Sequence, residues 1–99
     1  MNVIIKNGRV NLIDSKGSII NQICGNNPTQ ASLSNNEKNI VVTFKEGKVL
    51  VYDLKGHICG TITNNDGVSA IFSGNDVVLS KKNGKSELRK INGSIIRTL

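Results

Sequence analysis

Several residue types that carry chemistry are scarce in this chain of 99 residues, which has no tryptophan, one histidine and two cysteines. A catalytic base needs a nucleophile and an orienting acid within reach, and the repeat-related Asp14 and Asp53 are better explained as turn-capping residues than as a partner of His57. It also contains no phosphate-binding glycine loop and no paired-carboxylate motif. We therefore expect a protein that is not an enzyme, with no cofactor and no metal.

Aromatic residues and long apolar runs are also scarce. Phe44, Tyr52 and Phe72 are the only aromatics, and 37% of the residues are hydrophobic. The core must be built from isoleucine, valine and leucine, which favour β-sheets. No segment approaches the roughly 20 apolar residues of a membrane helix, and the first residues show no charged leader followed by an apolar run. These features predict a cytoplasmic protein that does not bind membranes.

The net charge is +6, with a pI near 9.6. Such a charge favours anionic partners or surfaces. The cations are mixed with acidic residues and form no basic run, and stacking aromatics are missing outside strand positions. The sequence therefore does not favour nucleic acid as a partner, and an acidic protein surface fits better.

Glycines reveal an internal repeat. Six of them form three pairs with a spacing of nine residues: Gly8 and Gly17, Gly47 and Gly56, and Gly84 and Gly93. The pairs recur at steps of 39 and 37 residues, and residues 3–17, 42–56 and 79–93 align without a gap. Repeats of this length made of short β segments indicate stacked sheets.

Alternating apolar residues between the glycine turns predict four strands per repeat, named a to d in chain order. Asn7-Gly8 and Asn83-Gly84 predict type I′ hairpins, since both central residues of that turn need positive φ. The repeats span about residues 1–24, 25–63 and 64–99 of one domain, and the first begins at strand b. The expected strands are residues 2–7, 9–14, 18–24, 29–34, 39–45, 48–54, 57–63, 68–73, 76–82, 85–91 and 94–99.

The repeat also gives an expectation for the cysteines. Cys59 takes the position of Ile20 and Ile96, so it should behave as a small buried hydrophobe. A disulfide with Cys24 or a metal site is the alternative, but the sequence has no CxxC motif and no second histidine.

The stretch from Ala31 to Gly56 resembles β-propeller blades of the WD-repeat-like type, with Val51-Tyr52-Asp53 in the Trp-Asp position. The opening Gly-His dipeptide is missing, and Lys90 replaces the aspartate in the third repeat. The resemblance implies an all-β fold of about three four-stranded antiparallel blades, the first lacking its innermost strand. It carries over no catalytic or cofactor residue.

A propeller closes a ring of four to eight blades. Two copies of this chain would supply six, so we expect homo-oligomerisation to complete the ring, as a homodimer or alternatively a trimer. In the third repeat the apolar positions of Phe44, Leu50 and Tyr52 are taken by Lys81, Glu87 and Arg89. Either this seam is salt-bridged, or the third blade faces solvent or another protein.

Candidate binding residues lie in two kinds of turn, which share one rim of a propeller. The b–c turns carry two cations per repeat: Lys6 and Arg9, Lys45 and Lys48, and Lys82 and Lys85. The d–a loop of the second repeat adds Asn64, Asn65 and Asp66. The cations predict a surface for acidic proteins, although lysines beside hairpins also occur simply as solvated residues.

These observations favour a non-catalytic binding or structural platform that assembles with itself and mediates protein–protein interaction. One alternative is a structural component of a viral or phage particle, which would place the protein in a virion. The other is a propeller lectin, since Asn64, Asn65 and Asp66 could bind sugar hydroxyls. Asparagine and aspartate are also common turn residues, and these loops lack an aromatic ring for a sugar to stack on.

Overall fold

The computed structural model describes residues 1–99 as eleven β-strands joined by turns. The strands are β1 (Asn2–Lys6), β2 (Arg9–Ile13), β3 (Ile19–Cys24), β4 (Pro28–Leu33), β5 (Asn39–Phe44), β6 (Val49–Asp53), β7 (Ile58–Thr63), β8 (Gly67–Ser73), β9 (Asp76–Lys81), β10 (Ser86–Arg89) and β11 (Ile95–Thr98). The structure contains no helix with the length and apolar character of a membrane span.

The strands form three antiparallel sheets, each of which follows the chain order. The first sheet holds β1 to β3, the second β4 to β7 and the third β8 to β11. We call them the first, second and third blade. The prediction of an all-β fold is confirmed, and so is a first blade with one strand fewer than the others.

The second blade lies between the other two because both of its faces are apolar. Residues 40, 42, 44, 50 and 52 pack with Val10, Leu12 and Ile23 of the first blade. Residues 41, 49, 51 and 62 pack with Ala70, Val77 and Leu79 of the third. Alternate side chains of a strand point to opposite faces, so β5 and β6 supply both seams.

The first b–c hairpin differs from the other two by one residue. Asn7 and Gly8 both have positive φ, at 55° and 73°, which confirms the predicted type I′ turn. In the second blade the amide of Phe44 donates to the carbonyl of Lys48 at 2.8 Å, which closes a three-residue loop. The amide of Lys81 donates to the carbonyl of Lys85 at 2.9 Å in the same way, and Asn83 does not have positive φ, so the type I′ prediction for Asn83-Gly84 is wrong. Ile5 therefore pairs with Val10 in the way that Thr43 pairs with Val49. The gapless alignment matches Ile4 to Thr43, so it is wrong by one residue along β1.

Cys59 is exposed, so the prediction of a buried thiol is wrong. Tyr52 pairs with Ile58 and Val51 pairs with Gly60, which leaves Cys59 as the extra residue of a β-bulge. Ile20 and Ile96 occupy the same position in their own strands and are 53% and 39% exposed. A bulge interrupts the alternation of side chains, so these positions turn outward on the outermost strand.

The polar residues of the third blade face the second blade. Arg89 donates to the carbonyl of Ile62 at 2.7 Å, and Glu87 accepts from Arg89 at 2.6 Å and 3.0 Å. Lys81 lies 3.8 Å from Glu87 and 3.5 Å from Asp66. This polar face therefore lies in the seam within the chain, where the ion pairs join residues of the third blade and the loop before it, and Arg89 bonds across to the second blade.

Candidate protein-interaction rim

The b–c turns and the d–a loops meet along one edge of the blades. The amide of Gly67 donates to the carbonyl of Gly47 at 2.9 Å, and the amide of Lys82 donates to the carbonyl of Asp66 at 2.8 Å. Gly47 has a φ of 101°, and a Cβ there would overlap the carbonyl of Asn65. Glycine is required at this turn because the next loop packs directly against its backbone.

The cations of the three b–c turns are all exposed along this edge. We call Lys6, Arg9, Lys45, Lys48, Lys82 and Lys85 the basic rim. Lys82 reaches back to the carbonyl of Glu46 at 3.4 Å, which brings the turns of the second and third blades together. Arg9 contacts Gln22 Oε1 at 3.4 Å within the first blade.

The other four lysines of the basic rim take part in none of the five ion pairs of the structure. Glu46 is the only acidic residue among these turns, and it forms no ion pair either. The rim therefore carries a local excess of positive charge that no neighbouring carboxylate neutralises. Such a patch attracts anionic surfaces over about 10 Å at ordinary salt.

The d–a loop residues Asn64, Asn65 and Asp66 do not behave alike. Asn64 and Asn65 are exposed, and their side chains make no hydrogen bonds within the chain. Asp66 accepts a hydrogen bond from the Thr63 hydroxyl and forms the ion pair with Lys81. The Thr63 hydrogen bond, and then Lys81, hold the pKa of the Asp66 carboxyl below its ordinary value. Its carboxylate thus holds the loop in place.

Sequence reasoning missed a pocket of about 230 Å³ beside the rim. Its floor is apolar and its edge is polar, and it is lined by Asn26, Phe44, Glu46, Lys48, Leu50, Tyr52 and Ile58. In the third blade the equivalent positions of Phe44, Leu50 and Tyr52 are held by the ion-paired Lys81, Glu87 and Arg89. The pocket is therefore specific to the second blade, and only this contrast between repeats could have indicated it.

Tyr52 lines this pocket and also belongs to the core between the first and second blades. Burial, followed by the neighbouring thiol of Cys24, raises the pKa of Tyr52 to about 12. Burial likewise raises the pKa of the Cys24 thiol. Both side chains are therefore neutral at physiological pH, and the pocket floor carries no charge.

No protein-family model and no curated protein matches the chain. Solved structures do match. The chain is similar to BamB from Moraxella catarrhalis, with a TM-score of 0.76 and 19% identity over 99% of this chain and 32% of that one. It is also similar to the C-terminal WD40 domain of Sif2, with a TM-score of 0.65 and 16% identity over 92% of this chain and 30% of that one.

The chain spans about a third of the length of each of these two proteins. At such low identity the likeness concerns the fold alone. Both relatives are β-propellers, and three sheets of three, four and four strands match part of such a ring. The blades of this chain therefore have the β-propeller fold.

Proposed function

We propose that the chain is a non-catalytic binding platform whose basic rim contacts an acidic surface of a partner protein. The observation that carries this proposal is the contiguity of the rim. Lys82 contacts the Glu46 carbonyl at 3.4 Å, which joins two turns, while four further lysines remain unpaired beside them. Propellers that interact with proteins commonly use loops on one edge of the ring, and this likeness supports the proposal by analogy.

The pocket beside the rim adds an apolar anchor to the charged surface. Lys48 belongs to both the rim and the pocket, so a partner held by its acidic residues would bring an apolar side chain over Tyr52. Protein interfaces typically gain most of their binding energy from a few anchors surrounded by polar contacts. The preferred ligand is therefore an acidic segment that carries one aliphatic or aromatic residue.

A binding experiment with synthetic peptides tests this proposal. The probes are a 12-residue peptide of Asp and Glu with one central Leu, and the same peptide with Ala in place of Leu. The rim variant carries Lys45→Gln, Lys48→Gln, Lys82→Gln and Lys85→Gln. The matched control carries Lys16→Gln, Lys38→Gln, Lys55→Gln and Lys90→Gln, which removes the same charge at exposed positions outside the rim.

We expect the Leu peptide to bind more tightly than the Ala peptide, with an affinity that falls as salt rises. The rim variant should lose binding by at least about tenfold, and the control variant should keep most of it because charge at a distance is screened. Equal losses in both variants would show that only the net charge matters. Binding of a glycan array without binding of either peptide would favour the lectin instead.

We also propose that the chain associates with itself, most simply as a homodimer that provides six blades. The support is the pair of sheet faces that the first and third blades leave uncovered at the two ends of the stack. Light scattering should give about twice the 10.7 kDa mass of the chain. Its thermal stability should rise with protein concentration, because folding and association are linked. A well-folded monomer at micromolar concentration would contradict this part of the proposal.

A further inference from the structure

The two seams within the chain are built from the same contact. In each, the c–d turn of one blade lies against the outermost strand of the blade before it. Asn21 on β3 donates from its side chain to the carbonyl of Leu54 at 3.1 Å. At the equivalent place on β7, Gly60 lies so close to the carbonyl of Ile91 that a Cβ would overlap it.

The glycines of the c–d turns show which of these turns have another blade packed against them. A Cβ at Gly56 would lie 3.0 Å from the carbonyl of Ile23, and one at Gly93 would overlap the carbonyl of Thr61. The equivalent Gly17 of the first blade has nothing within 4 Å of its Cβ position. The first blade therefore presents a c–d turn shaped for an outer strand that residues 1–99 do not supply.

The b–c turns show the complementary pattern at the other end. A Cβ at Gly8 would lie 3.1 Å from the side chain of Asn27, and one at Gly47 would overlap Asn65. Gly84 of the third blade has nothing within 4 Å. The b–c turn of the third blade thus lacks a neighbouring loop, just as the c–d turn of the first blade lacks a neighbouring strand.

The two uncovered faces carry apolar residues at the positions that are buried in the internal seams. Val78 and Leu88 pair with each other and align with Val41 and Val51, which are fully buried against the third blade. We call Val78, Leu88 and Arg97 the trailing face. Val77 and Leu79 point into the core, so the side chain of Val78 points to the opposite side.

The matching surface lies on the first blade. Val10 and Leu12 pack against the second blade, so the alternate residues Asn11 and Ile13 lie on the opposite side, where Ile13 is half-buried and Asn11 is only 7% exposed. Ile4 pairs with Asn11 on this side and is 37% exposed. We call Ile4, Asn11 and Ile13, together with the turn that contains Ser15, the leading face.

From the proposed self-association and these contacts, we infer that the trailing face of one copy binds the leading face of a second copy, with Arg97 donating to the Ser15 carbonyl. The repeat register assigns this pair. Arg97 occupies the outer-strand position that Asn21 and Gly60 occupy in the other blades. Ser15 occupies the c–d turn position of Leu54 and Ile91. Asn21 already shows that a side-chain donor suits this position.

Charge complementarity also supports a second copy of the chain as the partner of these two faces. Asp14 lies next to Ser15, and its Oδ1 accepts the amides of Lys16 and Ser18 at 2.9 Å each. That leaves its other oxygen available to an approaching guanidinium. Arg97 is exposed in the single chain and has no ion-pair partner there. A seam between copies would give both groups a partner.

A complementation experiment tests the head-to-tail arrangement with Leu88→Arg on the trailing face and Ile13→Arg on the leading face. Each variant alone carries its arginine in both seams between the two copies, so light scattering should report a monomer. An equimolar mixture should recover a species of dimer mass, because one of its seams combines an unmutated trailing face with an unmutated leading face. Variants that remain dimeric alone, or a mixture that stays monomeric while circular dichroism shows folded chains, would overturn the inference.

Cross-linking provides a second measurement that leaves the apolar residues of both faces unchanged. In a Cys24→Ser, Cys59→Ser background, Ser15→Cys and Arg97→Cys change only exposed residues. Mixing the two under mild oxidation should give a covalent dimer, and neither should cross-link alone. A dimer that forms only within one variant would show a symmetric interface and overturn the inference, leaving self-association intact. A monomeric unmodified chain would overturn both.

Discussion

Arg89 and Glu87 form an ion pair in the seam between the second and third blades, with Nη2 of Arg89 2.6 Å from Oε1 of Glu87. Their side chains are 13% and 12% exposed. Arg89 also donates to the carbonyls of Ile62 and Gly93, so its guanidinium has partners on both blades. A largely buried pair of this kind stabilises a fold only when such additional hydrogen bonds offset its desolvation.

Acid should weaken this seam. The hydrogen bond from Arg89, and then the charges of Arg89 and Lys81, lower the pKa of Glu87 from its ordinary value of 4.5. A carboxyl with a lowered pKa in the folded state stabilises the protein above its unfolded pKa, and this contribution is lost as pH falls through the folded value. The free energy of unfolding in urea should therefore decrease below about pH 4.5.

The variant Glu87→Gln isolates this effect, because glutamine keeps the shape of the side chain but does not titrate in this range. It should be less stable than the unmodified chain at pH 7, and the difference should shrink toward pH 2. Glu46→Gln, at an exposed glutamate that forms no ion pair, is the control and should leave the free energy of unfolding at pH 7 unchanged. Parallel curves for the Glu87→Gln variant and the unmodified chain would contradict the assignment.

Removing the hydroxyl of Thr43 should stabilise the protein. It is 1% exposed, and its Oγ1 has no hydrogen-bond partner. A buried hydroxyl without a partner costs about 1 to 3 kcal/mol, and valine has nearly the same shape. Thr43→Val should therefore raise the free energy of unfolding by about 1 kcal/mol, measured by thermal denaturation. Thr43→Ser, which keeps the hydroxyl and removes a methyl group, should instead be destabilised.

The strands could be predicted from the sequence because their determinants are local. Each strand consists of four to seven residues with β-forming side chains, and glycine turns separate the hairpins. Gly17, Gly56 and Gly93 all have positive φ, between 84° and 96°, as these turns require. The apolar run from Val49 to Tyr52 is buried on both faces, because the second blade is covered on both sides.

Features that depend on pairing between strands could not be predicted. The two-residue turn at Asn7-Gly8 could be predicted, but its effect on register could not. Relative to the three-residue loop of the second blade it shifts β1 by one position, which reverses the side chains that face the core. The bulge at Cys59 similarly adds a residue without any change in sequence pattern. The pocket beside Tyr52 depends on residues from β5, β6, β7 and the loop before β4, so no single segment indicates it.

Cysteine labelling should separate the two thiols. Cys59 is exposed on the bulge of β7, whereas Cys24 is half-buried and packs against the first seam. A thiol reagent at pH 8 should therefore modify Cys59 in the native protein and modify Cys24 at a similar rate only in urea. Cys59→Ser should change the free energy of unfolding by less than about 0.5 kcal/mol, as expected for an exposed side chain. Equal native labelling rates would contradict this burial difference.

Gly60 should tolerate no side chain, even though its φ is not positive. A Cβ there would overlap the carbonyl of Ile91, which belongs to the backbone of the next blade and cannot rotate away. Gly60→Ala should therefore separate the second and third blades and lower the free energy of unfolding by about 2 kcal/mol. Gly25→Ala is the matched control, because its nearest neighbour would be Cγ of Arg9 at 3.8 Å. That variant should keep its stability within about 0.5 kcal/mol, since the contact is an ordinary one and alanine restricts the unfolded chain. Equal thermal unfolding of the two variants would show that the seam can open without cost at this turn.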